Sequence, residues 1–316
     1  MRAWLALWRA LCHRAQWAAA WLWAALLPWR RSATLGEVLR AAPGGAQTRA
    51  FTRLVRGDAR IAAAPLLGLF GDARGSLEHA PSAEDTVHLL GAAAGGAPPL
   101  LPLAQVVARV RALTRVRAQC EQLRATPFDP RNAAHEALLA SCWPALQPGL
   151  PPPARISKQW QELGFQGADP GTDFRSAGEL GLRAVAHFAN TYGRHGAAII
   201  AATSLPDSGY PLALALLHTT TLAMALLASG HLDACLSDAA SAAPAAAGGE
   251  GAECDPGVRA LLDVAGRLLL LLDDAWADAA PRSVMEFERV FREFSAATRA
   301  ALERGDGGLP EPRRLR

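Results

Sequence analysis

Between Arg155 and Phe188 the chain reads ARISKQWQELGFQGADPGTDFRSAGELGLRAVAHF, and the group in it best suited to chemistry is Arg175. A guanidinium carries a permanent charge on a planar fork of N–H donors, which matches phosphate or carboxylate oxygens two at a time. Gly164, Gly167, Asp169, Pro170 and Gly171 supply turn chemistry on its amino-terminal side, where Gly and Asp-Pro favour bends over regular structure. Trp160, Leu163 and Phe165 can pin that loop to a core. Thr172 or Asp173 is placed to cap a following helix, which puts Arg175 in its first turn. The helix dipole favours negative charge there, so the cation needs a reason to be present. Two readings stand. Arg175 is structural, pairing with Glu179 at i,i+4 or bridging Asp173 to the loop, or it is a guanidinium presented to a partner.

No other constellation competes with it. The five cysteines, Cys12, Cys120, Cys142, Cys235 and Cys254, form no C-x-x-C pair and have no histidine at metal spacing, so a reduced framework is expected. The eight histidines are scattered; His187 and His218 read as surface or satisfied core residues rather than ligands. No Ser/His/Asp or Cys/His set can be assembled, and neither a metal nor a covalent nucleophile is expected. A net charge of +3 without basic runs interleaved with aromatics beyond the amino terminus argues against nucleic acid as a partner.

The elements that must hold Arg175 are helical. With 316 residues, 51% of them hydrophobic and 19% charged, the chain can bury a substantial core. Val106, Val107, Val110, Leu113, Val116 and Leu123 recur at helical spacing with arginines opposite. A second helix is predicted over Ala133–Leu146 after the turn at Asp129-Pro130, and a short one over Ala197–Thr203. The apolar run Tyr210–Ala228 approaches membrane length, but His218 and Thr219 to Thr221 at its centre favour a buried central helix. A helix over Arg259–Ala275 and a closing one with Val284, Phe287, Phe291 and Phe294 as its core stripe complete an all-α domain over residues 100–302. The Ala/Gly-rich insert at about 239–251 and the tail at 303–316 are expected to be disordered. Residues 32–99 carry short helical candidates and a linker, and little information.

Six of the nine tryptophans fall in the first 29 residues. Through Gln16 the segment reads as an amphipathic helix, followed by an apolar stretch from Trp17 to Leu27 that is too short to cross a bilayer. Residues 1–31 are therefore expected to anchor at a membrane interface, where tryptophan concentrates. Five arginines and no acidic residue before Glu37 keep organelle, including mitochondrial, targeting open, and a packed core helix is the third reading. A secretory signal fits least well, because Pro28, Arg30 and Arg31 stand where small residues precede cleavage.

The words ISKQW, LGFQG, DP-G-TDFR and G-LGL, in this order and spacing, resemble the signature of the ELMO domain, specifically of the small ELMO-domain-containing proteins. The likeness extends to FDPRNAAHEALLASCWPALQP at Phe128–Pro148 and VMEFERVFREF at Val284–Phe294. At two places the chain departs from the pattern: Ser176 follows the arginine where glycine is usual, and Ala177 and Glu179 stand where apolar residues are common. The resemblance implies a compact multi-helix fold and activation of GTP hydrolysis by Arf-family or Arf-like small GTPases, with Arg175 as the catalytic residue. It implies supporting roles for Gln166, Asp169 and Asp173 in orienting the loop, with Trp160, Phe165 and Phe174 anchoring it or serving as core. Gly164, Pro170 and Gly178 belong to the same signature. No cofactor of its own is implied, since GTP and magnesium arrive on the partner GTPase, and the expected location is cytoplasmic, at an intracellular membrane. Larger ELMO proteins act as scaffolds, so a non-catalytic GTPase-binding module is the rival reading; this chain has no room for their additional domains.

Overall fold

The computed structural model describes Val38 and residues 47–52, 100–203, 209–241, 255–304 and 308–315. The amino-terminal segment 1–31, the joint at 92–99 and nearly all of the insert lie outside the described residues. All regular structure among the described residues is helical: α1 (Leu100–Ala125), α2 (Ala133–Leu146), α3 (Gly178–Thr203), α4 (Leu212–Ala228), α5 (Asp233–Ser241), α6 (Pro256–Ala279) and α7 (Phe287–Arg304). Short 3₁₀ turns cover Lys158–Leu163, Pro170–Ser176, Val284–Glu286 and Arg313–Leu315.

Helix α3 sits at the centre, packed against α1, α2, α4 and α6. It includes the segment Ala197–Thr203 that sequence spacing reads as a separate helix, because the break is only a kink at Tyr192 (φ −118°, ψ 21°). The next residue is Gly193, where a Cβ would lie 2.7 Å from the carbonyl oxygen of Ala145, so the bend accompanies close packing of α3 on α2. Helix α4 is buried over most of its length, as a central helix should be. Its three threonines satisfy their hydroxyls within the helix, Thr219 and Thr220 on the Leu216 carbonyl and Thr221 on that of Leu217. Among the described residues no single helix is long and apolar enough to cross a membrane.

Asp255 caps α6 by accepting from the N–H groups of Gly257 and Val258, with Pro256 in the first position, where its missing N–H is harmless. The inward face of α7 differs from the expected stripe. Val290, Phe294, Thr298 and Leu302, each four residues on from the last, turn to the core, while Phe287 and Phe291 are half-buried beside the His218 ring. Val284 lies in the preceding 3₁₀ turn and is exposed, since the tighter turn resets the helical phase.

Two further segments are more ordered than the sequence suggests. Ala239 to Ser241 finish α5, which packs on α1 and α6. The tail is held rather than loose over 308–315: Leu309 and Leu315 pack on the core, Arg313 pairs with Asp274 and Asp278, and Arg314 with Asp273. Low local hydrophobicity could not disclose carboxylates waiting on a helix 35 to 41 residues away. Helical residues 47–52 also join the fold, with Phe51 fully buried and Arg109 on α1 bonded to Gln47 and Thr48.

Candidate functional site

The loop from Gln147 to Ala177 is anchored by a chain of rings. Trp143 on α2 meets Trp160 edge to face at 5.6 Å, Trp160 meets Phe165 at 6.1 Å, Phe165 meets Phe174 at 5.9 Å, and Phe174 packs on Phe128 at 5.7 Å. Trp160, Phe165 and Phe174 are all buried, and the Trp160 indole N–H donates to the Ala154 carbonyl at 3.1 Å. These three residues therefore fix the loop from beneath and offer no surface to a partner. Such aromatic contacts contribute about 0.5–1.5 kcal/mol each beyond area burial.

Gly164 ends the first 3₁₀ turn in the left-handed region (φ +88°), and a Cβ there would fall 2.3 Å from the amide nitrogen of Leu212. Only glycine lets this bend press against the start of α4. Gln166 is exposed, but its backbone is fixed: its N–H donates to Asp173 Oδ2 at 2.7 Å and its carbonyl accepts from Gln161 at 3.0 Å.

The placement of Arg175 differs from the sequence expectation. The cap is Asp169, not Thr172 or Asp173, and it opens a 3₁₀ turn over Pro170–Ser176 by accepting from the Gly171 N–H at 2.9 Å. Pro170 takes the first position with its φ already set. Helix α3 starts only at Gly178. Arg175 thus lies in the last turn of a short helical segment, where a cation is electrostatically favoured, rather than in the first turn of a long one. Its Nε donates to the Thr172 carbonyl at 2.8 Å and its side chain is exposed.

Neither structural partner expected for Arg175 is available. Glu179 is bound by Arg183 at 2.6 Å and faces His135 at 3.6 Å. Asp173 Oδ2 accepts from the Gln166 N–H at 2.7 Å. Among the described residues, no carboxylate lies within salt-bridge reach of Arg175. Ser176 beside it is also exposed.

Gly178 closes the unit. It is left-handed (φ +55°), and its backbone runs against the end of α1, with a Cβ position 2.2 Å from the Arg124 carbonyl oxygen. The Glu179 N–H then donates to the Thr126 carbonyl at 2.8 Å, satisfying one of the amides left open at the start of α3.

Three participants were not singled out by sequence reasoning. Arg155 bonds Glu136 on α2 at 2.7 Å and Asp169 at 2.8 Å, with its guanidinium 5.2 Å from the Phe128 ring centre. Phe128 and Glu136 were visible only as members of the FDPRNAAHEALL segment. Nothing local marks a half-buried arginine as the bridge between two carboxylates. Among the described residues no group of His, Cys, Asp or Glu is arranged to hold a metal ion.

Comparison with known proteins adds an independent line. The sequence model of the ELMO/CED-12 family matches residues 118–291, more than half of the chain and all of this site. ELMO domain-containing protein 2 of Mus musculus is 41% identical over 112 residues, covering 35% of this chain and 38% of that protein. ELMO domain-containing protein 1 of Mus musculus is 32% identical over 214 residues, 61% of this chain and 60% of that protein. ELMO domain-containing protein B of Dictyostelium discoideum is 28% identical over 179 residues, 57% of each. The chain thus spans between 38% and 60% of the length of these relatives. No solved structure matches it significantly.

Proposed function

This chain belongs to the ELMO/CED-12 family, and on that premise we propose that it activates GTP hydrolysis by an Arf-family or Arf-like small GTPase, supplying Arg175 to the reaction in trans. The observation that carries the reading is the division of labour in the loop. Asp169, Asp173, Trp160, Phe165 and Phe174 are all committed to holding the turn, whereas Arg175 is exposed and pairs with no carboxylate among the described residues.

The chemistry suits a guanidinium. As the γ-phosphoryl group transfers, negative charge spreads over its oxygens, and an arginine delivered in trans contributes about 10³ to 10⁵ in rate. The bond from Nε to the Thr172 carbonyl fixes the stem of the side chain and leaves both terminal nitrogens for phosphate oxygens. A side chain held before docking loses less freedom on insertion than one ordered during it. GTP and magnesium belong to the partner, and the chain needs no nucleophile or cofactor of its own. Residues 1–31 would hold the domain at the cytoplasmic face of an intracellular membrane.

The second reading, a scaffold that binds the GTPase without accelerating it, is favoured by one observation. Ser176 is exposed next to Arg175, and its Cβ and hydroxyl add bulk there that a glycine would not. The test is single-turnover GTP hydrolysis by a panel of Arf and Arf-like GTPases with the full chain, comparing wild type, Arg175→Ala and Arg175→Lys. Both substitutions are expected to abolish acceleration with unfolding midpoints unchanged, because exposed substitutions shift stability by no more than about 0.5 kcal/mol. Acceleration that survives in both would move the chemistry away from Arg175. Binding without acceleration by wild type would establish the scaffold reading and make Ser176→Gly the informative variant. Vesicle co-sedimentation with and without residues 1–31 tests the anchor; import into mitochondria would replace it.

A further inference from the structure

Arg175 does not stand alone at the end of its turn; a continuous run of direct bonds leads to it from α2. Glu136 on α2 accepts from Arg155 Nε at 2.7 Å, and Arg155 Nη1 donates to Asp169 Oδ1 at 2.8 Å. That same oxygen accepts from the Gly171 N–H at 2.9 Å, and the Asp169 carbonyl accepts from the Thr172 N–H at 3.2 Å and hydroxyl at 2.8 Å. The Thr172 carbonyl in turn accepts from Arg175 Nε at 2.8 Å. A second route reaches the same place through packing. The Arg155 guanidinium lies against Phe128, Phe128 packs on Phe174, and Phe174 immediately precedes Arg175. A Cβ on Gly171 would sit 3.0 Å from Arg155 Nη2 and 2.8 Å from the Phe128 ring, so Arg155 and the 3₁₀ turn are in close contact.

From this arrangement we infer that Arg155 is the positioning residue for Arg175, joining α2 to the capped turn so that the presented guanidinium has one fixed direction; the inference rests on the reading of Arg175 given above. The physical reason lies in the fork. One planar guanidinium satisfies two carboxylates on different segments at the same time, which a single ammonium cannot do in the same geometry. With Arg155 gone, Glu136 and Asp169 are like charges facing a vacated, half-buried site, and Asp169 is free to turn from the amide it caps. The turn then loosens from its first residue, and Arg175 loses its direction at the last. Arg155 takes no part in the chemistry and needs no contact with the GTPase.

The experiment measures single-turnover hydrolysis as a function of the concentration of this full chain, for wild type, Arg155→Gln, Arg155→Lys, Arg175→Ala and the Arg155→Gln/Arg175→Ala double variant. For Arg155→Gln the maximal rate is expected to fall roughly 10- to 100-fold, the scale of a misplacement of about 1 Å, while the half-saturating concentration stays within about twofold. Arg155→Lys, which keeps the charge and loses the fork, should fall between the two and guards against a folding failure in Arg155→Gln. In the Arg175→Ala background, Arg155→Gln should have no further effect, because its influence passes through the missing side chain.

A second readout needs no GTPase. The Nε–H resonance of Arg175, held by the Thr172 carbonyl in wild type, should move towards that of free arginine in Arg155→Gln while the thermal transition remains cooperative. An unchanged maximal rate, or a change confined to half-saturation, would overturn the inference, as would an unchanged Arg175 resonance. If wild type accelerates no GTPase, the proposed activity fails, and the resonance alone decides whether Arg155 positions Arg175.

Discussion

Replacing Gly178 by alanine should be among the most damaging single-methyl changes in this protein, and its size can be worked out in parts. Gly178 has φ +55°, where an L residue is disfavoured by about 1–2 kcal/mol. The added Cβ would lie 2.2 Å from the Arg124 carbonyl oxygen and 2.5 Å from that of Thr126. Carbon and carbonyl oxygen approach no nearer than about 3.3 Å even in favourable contacts, so α3 and the end of α1 must part by about 1 Å. That movement breaks the bond from the Glu179 N–H to the Thr126 carbonyl, a loss of about 1 kcal/mol. Strain and lost bond together come to about 2–3 kcal/mol, which for a compact unit of this size lowers the melting temperature by roughly 4–12 °C. Gly149 supplies the control. It too is left-handed (φ +87°), but nothing lies within 4 Å of its Cβ position. Gly149→Ala should therefore show the backbone strain alone, a fall of roughly 2–8 °C. Thermal unfolding followed by circular dichroism measures both. Equal effects of the two substitutions would refute the reasoning, because the contact with the α1 carbonyls would then contribute nothing.

Further outcomes are expected elsewhere in the fold. Tyr192 and Tyr210, the chain's two tyrosines, donate to Asp263 at 2.6 Å and Asp273 at 3.0 Å. Burial first, and the neighbouring carboxylate second, push both phenols above their ordinary range. The unfolded chain ionises its tyrosines near pH ~10 while the folded one keeps them neutral, so this contribution to stability is complete below about pH 10 and falls as pH rises beyond it. Tyrosinate absorbance should stay absent at pH ~11 and then rise together with loss of helical dichroism; a gradual rise near pH ~10 with the helices intact would contradict the burial argument. In the tail, Arg313→Gln with Arg314→Gln should speed amide exchange over residues 309–315, most of all at the Arg313 N–H that donates to Asp274. Unchanged exchange there would mean that the Leu309 and Leu315 contacts suffice.

Periodicity decided much of this protein in advance. Helical spacing named α1, and the apolar runs of α4 and α6 named those helices from their own residues, because burial of apolar surface dominates helix formation in a folded domain. The buried nature of α4 followed from His218 and its neighbouring threonines, and the residues of the loop that matter were readable from their types. The arrangement of those residues was not. In Asp169-Pro170-Gly171-Thr172-Asp173 three side chains can cap a helix, and local propensity ranks them nearly equally. The structure caps with Asp169, whose carboxylate also accepts from Arg155, fourteen residues earlier, which in turn bonds Glu136 of another helix. That choice moves Arg175 from the start of a long helix to the end of a short turn. It leaves Glu179 to Arg183 and His135, and turns Asp173 towards Gln166. The tail's place has the same origin, in carboxylates contributed by a distant helix, and the kink in α3 lies beside Gly193, which packs against the Ala145 carbonyl of α2. Residue type and helical period act over a few residues and are written in the chain; which charge meets which, and which way an exposed guanidinium points, depends on neighbours that only the packed structure brings within reach.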